Sequence, residues 1–285
     1  MEKQRSLIDQ IKDDVQAGNI ALPMLEKLVS ELNSKLNDEK AGASDIAALI
    51  EKDPALATRV LNMANSAAYS GLVKMRSVER AIVRVGLKPI KSFFVTSAMK
   101  NVFTGKTSLL KNIFNIWWKH SLCCALGCRK IATTVGKSSI AEDAYMLGLL
   151  HDIGTIVILN KLNEMYADGE SVEIHEDLII ELVDSFHAQL GAIILNHLEF
   201  DEELCQIVET HHTPELYNDQ ENTLFQILQV ENNILIKAGV AVHPNPNIAI
   251  TSLPSFEKLG LNPIFVAEEE VDAEDQFETM NSALS

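Results

Sequence analysis

Apolar residues recur three or four positions apart along most of the chain, which is the spacing of one helix face. The pattern predicts a polar opening helix and then five short helices before residue 104. Asp53 followed by Pro54 predicts an N-cap and a first helical residue, and Gly86 after an apolar run predicts a helix end. Longer segments with the same period continue to Lys237, where Gly239 predicts a stop. The sequence therefore predicts an all-α fold.

Breaks in this pattern divide the chain. We expect an N-terminal extension over residues 1–20, a helical domain over 21–240 and a C-terminal extension over 241–285. Within the domain, residues 21–105 form an N-terminal helical part and residues 106–240 a bundle. The extension begins near the break at His243-Pro244-Asn245-Pro246, and from Ala267 onward it carries seven acidic residues and no basic one. This composition predicts a solvated, mobile end.

Composition narrows the class of protein. The chain is 47% hydrophobic and 22% charged, which is ordinary for a soluble globular protein, and its net charge of −16 opposes nucleic acid and anionic lipid. Three of its four cysteines fall on one predicted helix, where disulfide geometry is poor, so we expect reduced thiols and a cytosolic protein. These cysteines are Cys123, Cys124, Cys128 and Cys205. No run of eighteen apolar residues suggests a membrane span.

The strongest candidate for chemistry is His151-Asp152, a metal-capable pair inside the apolar run Leu149–Gly154. Ser139 and Glu142 form a capping-box pattern that predicts a helix carrying the pair. Adjacent residues on a helix lie about 100° apart, so the pair is half a metal site and needs ligands from other helices. Four histidines on other predicted helices are available, namely His120, His187, His211 and His212.

A second feature is a basic stripe, Arg76, Arg80 and Arg84, at four-residue steps on an otherwise acidic protein. With Gly86 between two predicted helices it superficially resembles a helix-turn-helix. The overall charge opposes nucleic-acid binding, however, and a second basic surface is missing. The stripe indicates a solvated face or a contact for an acidic partner.

Several motifs together resemble the HDOD domain, the HD-related output domain of bacterial signalling proteins. The resemblance covers about Ala21 to Gly239. It rests on Ile50-Glu51-Lys52-Asp53-Pro54-Ala55-Leu56, Leu61-Asn62-Met63-Ala64-Asn65-Ser66-Ala67, Lys119-His120-Ser121, Gly148-Leu149-Leu150-His151-Asp152-Ile153-Gly154, His187-Ala188-Gln189-Leu190-Gly191-Ala192 and His211-His212.

The resemblance implies a bundle of the HD phosphohydrolase type preceded by an N-terminal helical subdomain. Active HD enzymes bind a divalent metal through a His, a His-Asp pair and a later Asp. Here His120, His151 and Asp152 match the first three ligands. Asn232 stands at the expected Asp position, and Glu231 is the nearest carboxylate that could substitute.

Three functions follow from these residues. The favoured one is a cytosolic signalling module that binds a signalling protein rather than catalysing a reaction, with a degenerate metal site. Thr155 supports it, because related cyclic-di-nucleotide phosphodiesterases have a lysine at that position. The alternative is a metal-dependent phosphohydrolase acting on a phosphoester or nucleotide with Fe, Mn, Zn, Ni or Mg, in which His187, His211 and His212 serve a second ion or line a pocket. The third is acidic-partner or nucleic-acid binding through the basic stripe.

Overall fold

The computed structural model describes Asp13, residues 42–66, Tyr69, residues 73–102, 105–167 and 175–217, Asp219 and residues 221–284. Across these ranges it contains α-helices and short 3₁₀ turns and no strand, so the predicted all-α class is confirmed. The two helices predicted before residue 42 lie outside the described residues.

Two compact units divide the chain. One comprises Met24–Met99 with Phe277–Ser285, and in it helix α3 packs against α1 and α2. The helices that begin in it are α1 (Ala43–Ile50), α2 (Pro54–Ala64), α3 (Val78–Val85) and α4 (Leu87–Asn101). The predicted caps are confirmed here. The Asp53 side chain accepts hydrogen bonds from the N–H groups of Ala55 and Leu56, and Gly86 ends α3 with φ of 94°.

The other unit comprises Met1–Pro23 with Lys100–Gln276. Its helices include α5 (Ser108–Thr134), α6 (Ala141–Leu150), α7 (Gly154–Ala167), α8 (Glu176–His197), α9 (Glu202–Thr210) and α10 (Thr223–Ala238). Helix α5 is the central element, because α6, α7 and α10 all contact it, while α8 packs against α7 and α9. Gly148 lets α6 approach α5 closely, since a Cβ there would lie 2.6 Å from the Cys124 carbonyl oxygen. All four cysteines are buried free thiols.

The predicted capping box at the start of α6 is wrong. Residues Ser138–Ile140 form a 3₁₀ turn, and the N-cap of α6 is Ile140, which makes no side-chain cap. The Glu142 carboxylate binds the Arg129 guanidinium of α5 through two contacts of 2.9 Å. A bidentate ion pair between helices takes the acid that would otherwise complete the cap.

The prediction of a mobile acidic end is also wrong. Residues 254–283 form two further helices, α11 (Pro254–Leu259) and α12 (Pro263–Ala283). Phe265, Val266 and Ala273 of α12 are buried, and acidic residues of α12 pair with lysines of α5 and α10. These pairs are Lys119–Glu274, Lys130–Glu269, Lys130–Asp272 and Lys237–Glu270. The helix therefore docks by an apolar stripe, and its charges meet lysines that lie far away in sequence.

Two helical segments are long and apolar enough to cross a membrane when judged by length and composition alone, namely Ser138–Met165 and Glu176–His197. The apolar window of the first is 83% buried within the protein, and that of the second is 39% buried. Core helices of soluble proteins meet the same criterion. The expectation that the chain spans no membrane therefore stays a prediction.

Candidate metal centre

His151 and Asp152 lie in the turn that joins α6 to α7, not on the helix that the sequence predicted to carry them. A hydrogen bond between residues three positions apart tightens the backbone here, because the Thr155 N–H donates to the Asp152 carbonyl oxygen at 2.9 Å. The Trp117 indole N–H of α5 donates to that same carbonyl at 3.0 Å. The turn is thus held by hydrogen bonds from α5 and α7, and it directs the side chains of His151 and Asp152 toward the same site.

Gly154 brings the next ligand close. A Cβ at this position would lie 2.0 Å from the His187 carbonyl oxygen and 2.7 Å from the Gly191 amide nitrogen. Only glycine allows the start of α7 to approach the backbone of α8 this closely. The contact places His187 beside Asp152.

Four buried histidines share one hydrogen-bonding scheme. The Nδ1 atoms of His120, His151, His187 and His211 contact the carbonyl oxygens of Val240, Gly148, Val183 and Val208 at 2.6, 2.8, 2.5 and 2.6 Å. A carbonyl oxygen only accepts, so each Nδ1 carries the proton and donates. The lone pair of each neutral ring is then on Nε2, which is how a metal-binding histidine is normally oriented.

All four Nε2 atoms face Asp152. Oδ2 lies 3.7 Å from His120 Nε2 and 3.4 Å from His151 Nε2. Oδ1 lies 3.3 Å from Nε2 of both His187 and His211. His212 joins the second group, with its Nε2 3.0 Å from that of His187. One carboxylate therefore belongs to two ligand groups, and we call these five histidines and Asp152 the His/Asp cluster.

The cluster fits divalent cations. Ligand atoms about 2.1 Å from one ion lie roughly 3.0 Å apart at right angles and roughly 3.4 Å apart at the tetrahedral angle. The Nε2 atoms of His120 and His151 are 3.2 Å apart, and those of His187 and His211 are 3.3 Å apart. Nitrogen lone pairs that face each other at these distances repel, unless a cation or a proton lies between them. Imidazole and carboxylate are ligands that Fe, Mn, Zn and Ni all accept.

The electrostatics of the cluster favour ligand-competent histidines. Burial lowers the pKa of His151 to about 3, and burial together with the charge of His211 lowers the pKa of His212 to about 3. Burial opposes a charged His187 as well, but the adjacent Asp152 carboxylate raises the pKa of that imidazole. Burial also opposes ionisation of Asp152, yet His151 together with the close contacts to His187 and His211 holds its pKa well below the ordinary value. Asp152 is therefore an anion that a proton or a cation must balance.

A cavity of about 110 Å³ opens beside the cluster. Its polar lining comes from His120, Asp152, Thr155, Asp184, His187, His212, Asn232 and His243. Asn232, on α10, is 7% exposed and reaches the cavity as an amide at the position where the family resemblance expects an aspartate. At the rim, His243 Nε2 lies 3.2 Å from Asp184 Oδ2.

One residue proposed from the sequence, Glu231, lies outside the cluster. Glu231 is fully buried on the side of α10 that faces α5, where its carboxyl group lies over Gly127. It belongs to neither ligand group of the cluster. Among the described residues, neither of its carboxylate oxygens has a hydrogen-bond partner. Its carboxyl is therefore not in a position to replace the missing aspartate.

The basic stripe lies in the unit that contains Met24–Met99. Arg76 and Arg80 are exposed, but Arg84 donates a 2.7 Å hydrogen bond to the Val73 carbonyl. Arg84 therefore anchors the segment that precedes α3. Partner binding through the stripe stays a prediction.

The sequence did not reveal some contributors to the centre. Asp184 and His243 showed no motif, and Trp117 gave no sign that its indole binds the turn. The backbone carbonyls that orient the histidines leave no trace in side-chain identity. Gly154 was visible within the His-Asp motif, but only the approach of α8 explains why glycine is needed there.

An all-α bundle that gathers four further histidines around a His-Asp turn has the architecture expected of an HDOD domain. Residues 22–214, well over half of the chain, match the HDOD domain family, and the chain therefore belongs to that family. A curated relative from Treponema pallidum (strain Nichols), named "Uncharacterized protein", is 25% identical over 212 residues. The match covers 73% of this chain, which spans only 39% of that relative's length.

Solved structures show the same fold. A Shewanella amazonensis SB2B protein named "Putative metal-dependent phosphohydrolase" aligns with a TM-score of 0.75 and 19% identity, covering 98% of both chains. An HDOD domain protein of unknown function from Geobacter sulfurreducens aligns with a TM-score of 0.68 and 19% identity, covering 90% of this chain and 91% of that one. A "Putative signal transduction protein" from Marinobacter aquaeolei VT8 aligns with a TM-score of 0.65 and 19% identity, covering all of this chain and 62% of that one.

Proposed function

We propose that the chain is a metal-dependent phosphohydrolase whose centre holds two divalent cations that share Asp152. The observation that carries this proposal is the arrangement of Nε2 atoms on both sides of one carboxylate. His120 and His151 would hold one cation through their Nε2 atoms, together with Oδ2 of Asp152. The cation on the Oδ1 side would be held by His187, His211 and His212. The name of the Shewanella neighbour supports the same class of reaction.

Each part of the centre has a chemical role in this proposal. When bound, the cations would polarise a phosphoryl oxygen and supply hydroxide near neutral pH. The Nδ1–H tethers fix the ring orientations, as partners behind metal ligands commonly do. The Trp117 and Gly154 contacts fix Asp152 relative to α5 and α8. At roughly 30 Å³ per water molecule, the cavity beside the cluster has room for about four, which is enough for a phosphoryl group to enter it.

The test begins with metal-free protein that is reloaded with manganese or iron. We expect two equivalents per chain and metal-dependent hydrolysis of p-nitrophenyl phosphate or its diester. Asp152→Asn should lower the bound metal and reduce hydrolysis at least a hundredfold, since it removes the charge that both ligand groups share. His197→Asn, at an exposed histidine outside the cluster, is the control. A protein that takes up neither metal would refute the proposal.

A binding module is the second candidate, and Asn232 is the observation that favours it. A neutral amide at the cavity wall supplies less negative charge than the expected carboxylate, so a cation could be held without efficient catalysis. In this case the metal centre would stabilise the bundle, and a cytosolic signalling protein would be the partner. Asn232→Asp distinguishes the two functions. A variant that gains hydrolysis over an inactive parent supports the binding module, whereas an active parent supports the enzyme.

A further inference from the structure

Thr155 has an unusual environment for a hydroxyl group. It lies in the first turn of α7, is 1% exposed and lines the cavity together with Asp152 and His187. Its Oγ1 has no hydrogen-bond partner among the described residues. A buried hydroxyl without a partner costs stability, and most native proteins avoid one. The position of Thr155 therefore suggests a donor that is kept for a ligand in the cavity.

The rest of the lining restricts what this ligand can be. Half of the lining residues are apolar, with Ile179, Ile180 and Val183 contributed by α8 and Ile236 by α10. No lysine or arginine lines the cavity within the described part of the chain. Nucleotides and polyphosphates carry several charges that proteins usually meet with basic side chains. Here Asp184 at the rim adds a negative charge instead.

We propose that the cavity takes a phosphomonoester with a single phosphoryl group and a small apolar substituent, and that the Thr155 hydroxyl donates to a phosphoryl oxygen. The apolar wall of α8 would hold the substituent. The inference rests on the proposed function, because the cations beside Asp152 would neutralise the phosphoryl group. It goes further in naming the substrate class and a residue that determines specificity.

The first experiment replaces the hydroxyl with a methyl group of similar shape. In manganese-loaded protein, Thr155→Val should weaken the binding of phenylphosphonate about tenfold or more by calorimetry, as expected for a lost hydrogen bond to an anion. Without phosphonate, its thermal midpoint should equal or exceed that of the parent, because no internal hydrogen bond is lost. A lower midpoint with unchanged affinity would assign Thr155 a purely structural role and overturn the proposal. Thr133→Val, at an exposed threonine of α5, is the matched control.

The second experiment varies the substituent. We expect phenylphosphonate to bind manganese-loaded protein about tenfold or more tightly than methylphosphonate, because the ring buries additional apolar area. Adenosine monophosphate should bind more weakly than phenylphosphonate. The reverse order would overturn the substrate class and leave the metal-dependent phosphohydrolase in place. Protein that binds no manganese would instead remove the proposed function.

A charge placed in the apolar wall provides an independent check. Ile180→Lys should weaken phenylphosphonate at least about tenfold and strengthen the binding of inorganic pyrophosphate, since it puts a cation where the apolar substituent would lie and where the second phosphoryl group of pyrophosphate would reach. Ile264→Lys makes the same change at an exposed residue that does not line the cavity. It should alter neither affinity. Equal effects from both variants would show that only net charge matters and would contradict the proposed wall.

Discussion

Replacing Gly154 with alanine should separate the two halves of the proposed metal centre. A Cβ at this position would lie 2.0 Å from the carbonyl oxygen of His187 and 2.7 Å from the amide nitrogen of Gly191. Both are backbone atoms of α8, so no side-chain rotation can relieve the clash. Either α8 or the His-Asp turn must move, and both carry ligands of the cation on the Oδ1 side of Asp152.

The size of the movement follows from the contact distance. Ordinary van der Waals contact begins near 3.4 Å, so the shortest contact must lengthen by about 1.4 Å. His187 Nε2 now lies 3.3 Å from Asp152 Oδ1, and a shift of that size exceeds the roughly 0.5 Å that a metal site tolerates. The group formed by His120, His151 and Oδ2 takes no ligand from α8, so it keeps its geometry when α8 is the element that moves. We therefore expect Gly154→Ala to retain about one manganese per chain where the parent holds two.

Equilibrium dialysis followed by elemental analysis measures this stoichiometry directly. The variant should still fold, with a stability loss of about 1–3 kcal/mol that is typical of overpacking, and circular dichroism should confirm its helix content. Gly42→Ala is the control, because a Cβ at Gly42 meets nothing within 4 Å. If Gly154→Ala kept both equivalents and its thermal midpoint was unchanged, the close approach of α7 and α8 would not position the ligands, and the reasoning would fail.

Three further results are expected. Burial raises the pKa of Glu231 well above its ordinary 4.5, so the folded protein keeps a proton that the unfolded chain releases. The free energy of unfolding should therefore fall by about 1.4 kcal/mol per pH unit as the pH rises above the ordinary pKa, until it reaches the pKa of Glu231 in the folded protein. Denaturant titrations of Glu231→Gln should lack this slope, and parallel curves for parent and variant would contradict the assignment. Phe265→Ala should cost about 3 kcal/mol and speed hydrogen exchange in α12, whereas Ile264→Ala, at an exposed site, should do neither. At pH values below the raised pKa of His187, manganese binding should release protons, because the cation must then displace the proton on that imidazole. Calorimetry in buffers of different ionisation enthalpy would then give buffer-dependent heats, and buffer-independent heats would contradict this.

Local signals in the sequence were sufficient for much of the fold. Asp53 before Pro54 fixed a helix start, because the cap involves only neighbouring residues. The failure at Ser139 shows where such reasoning ends. A capping box and an ion pair compete for the same carboxylate, and the position of Arg129 decides which one forms. That position depends on the packing of α5 against α6, which no local pattern encodes.

The acidic end failed as a prediction for a similar reason. Charge density alone predicts a solvated end. Docking of α12 is instead stabilised by the burial of Phe265, Val266 and Ala273 and by ion pairs with lysines of α5 and α10. The lysines of α5 lie more than a hundred positions from the acidic residues they pair with, and Lys237 of α10 lies 33 positions from Glu270. The candidate metal ligands were easier to predict, because the family resemblance places them position by position. The orientation of Glu231 and Asn232 was not, since it depends on how α10 is rotated against α5.

That rotation determines what the two residues can do. Adjacent positions on α10 point about 100° apart, so one of them faces the cavity and the other faces α5. The chain puts the amide of Asn232 in the cavity and the carboxyl of Glu231 over Gly127, away from the cluster. Among the described residues, Asp152 is then the one carboxylate in the cluster, and both of its oxygens are shared among four imidazoles. A protonated His187 can neutralise only Oδ1 of Asp152. Cations on both sides would neutralise the whole carboxylate and would also accept the Nε2 lone pairs that point toward it. The donor set is therefore better matched to metal than to protons, even with one carboxylate missing.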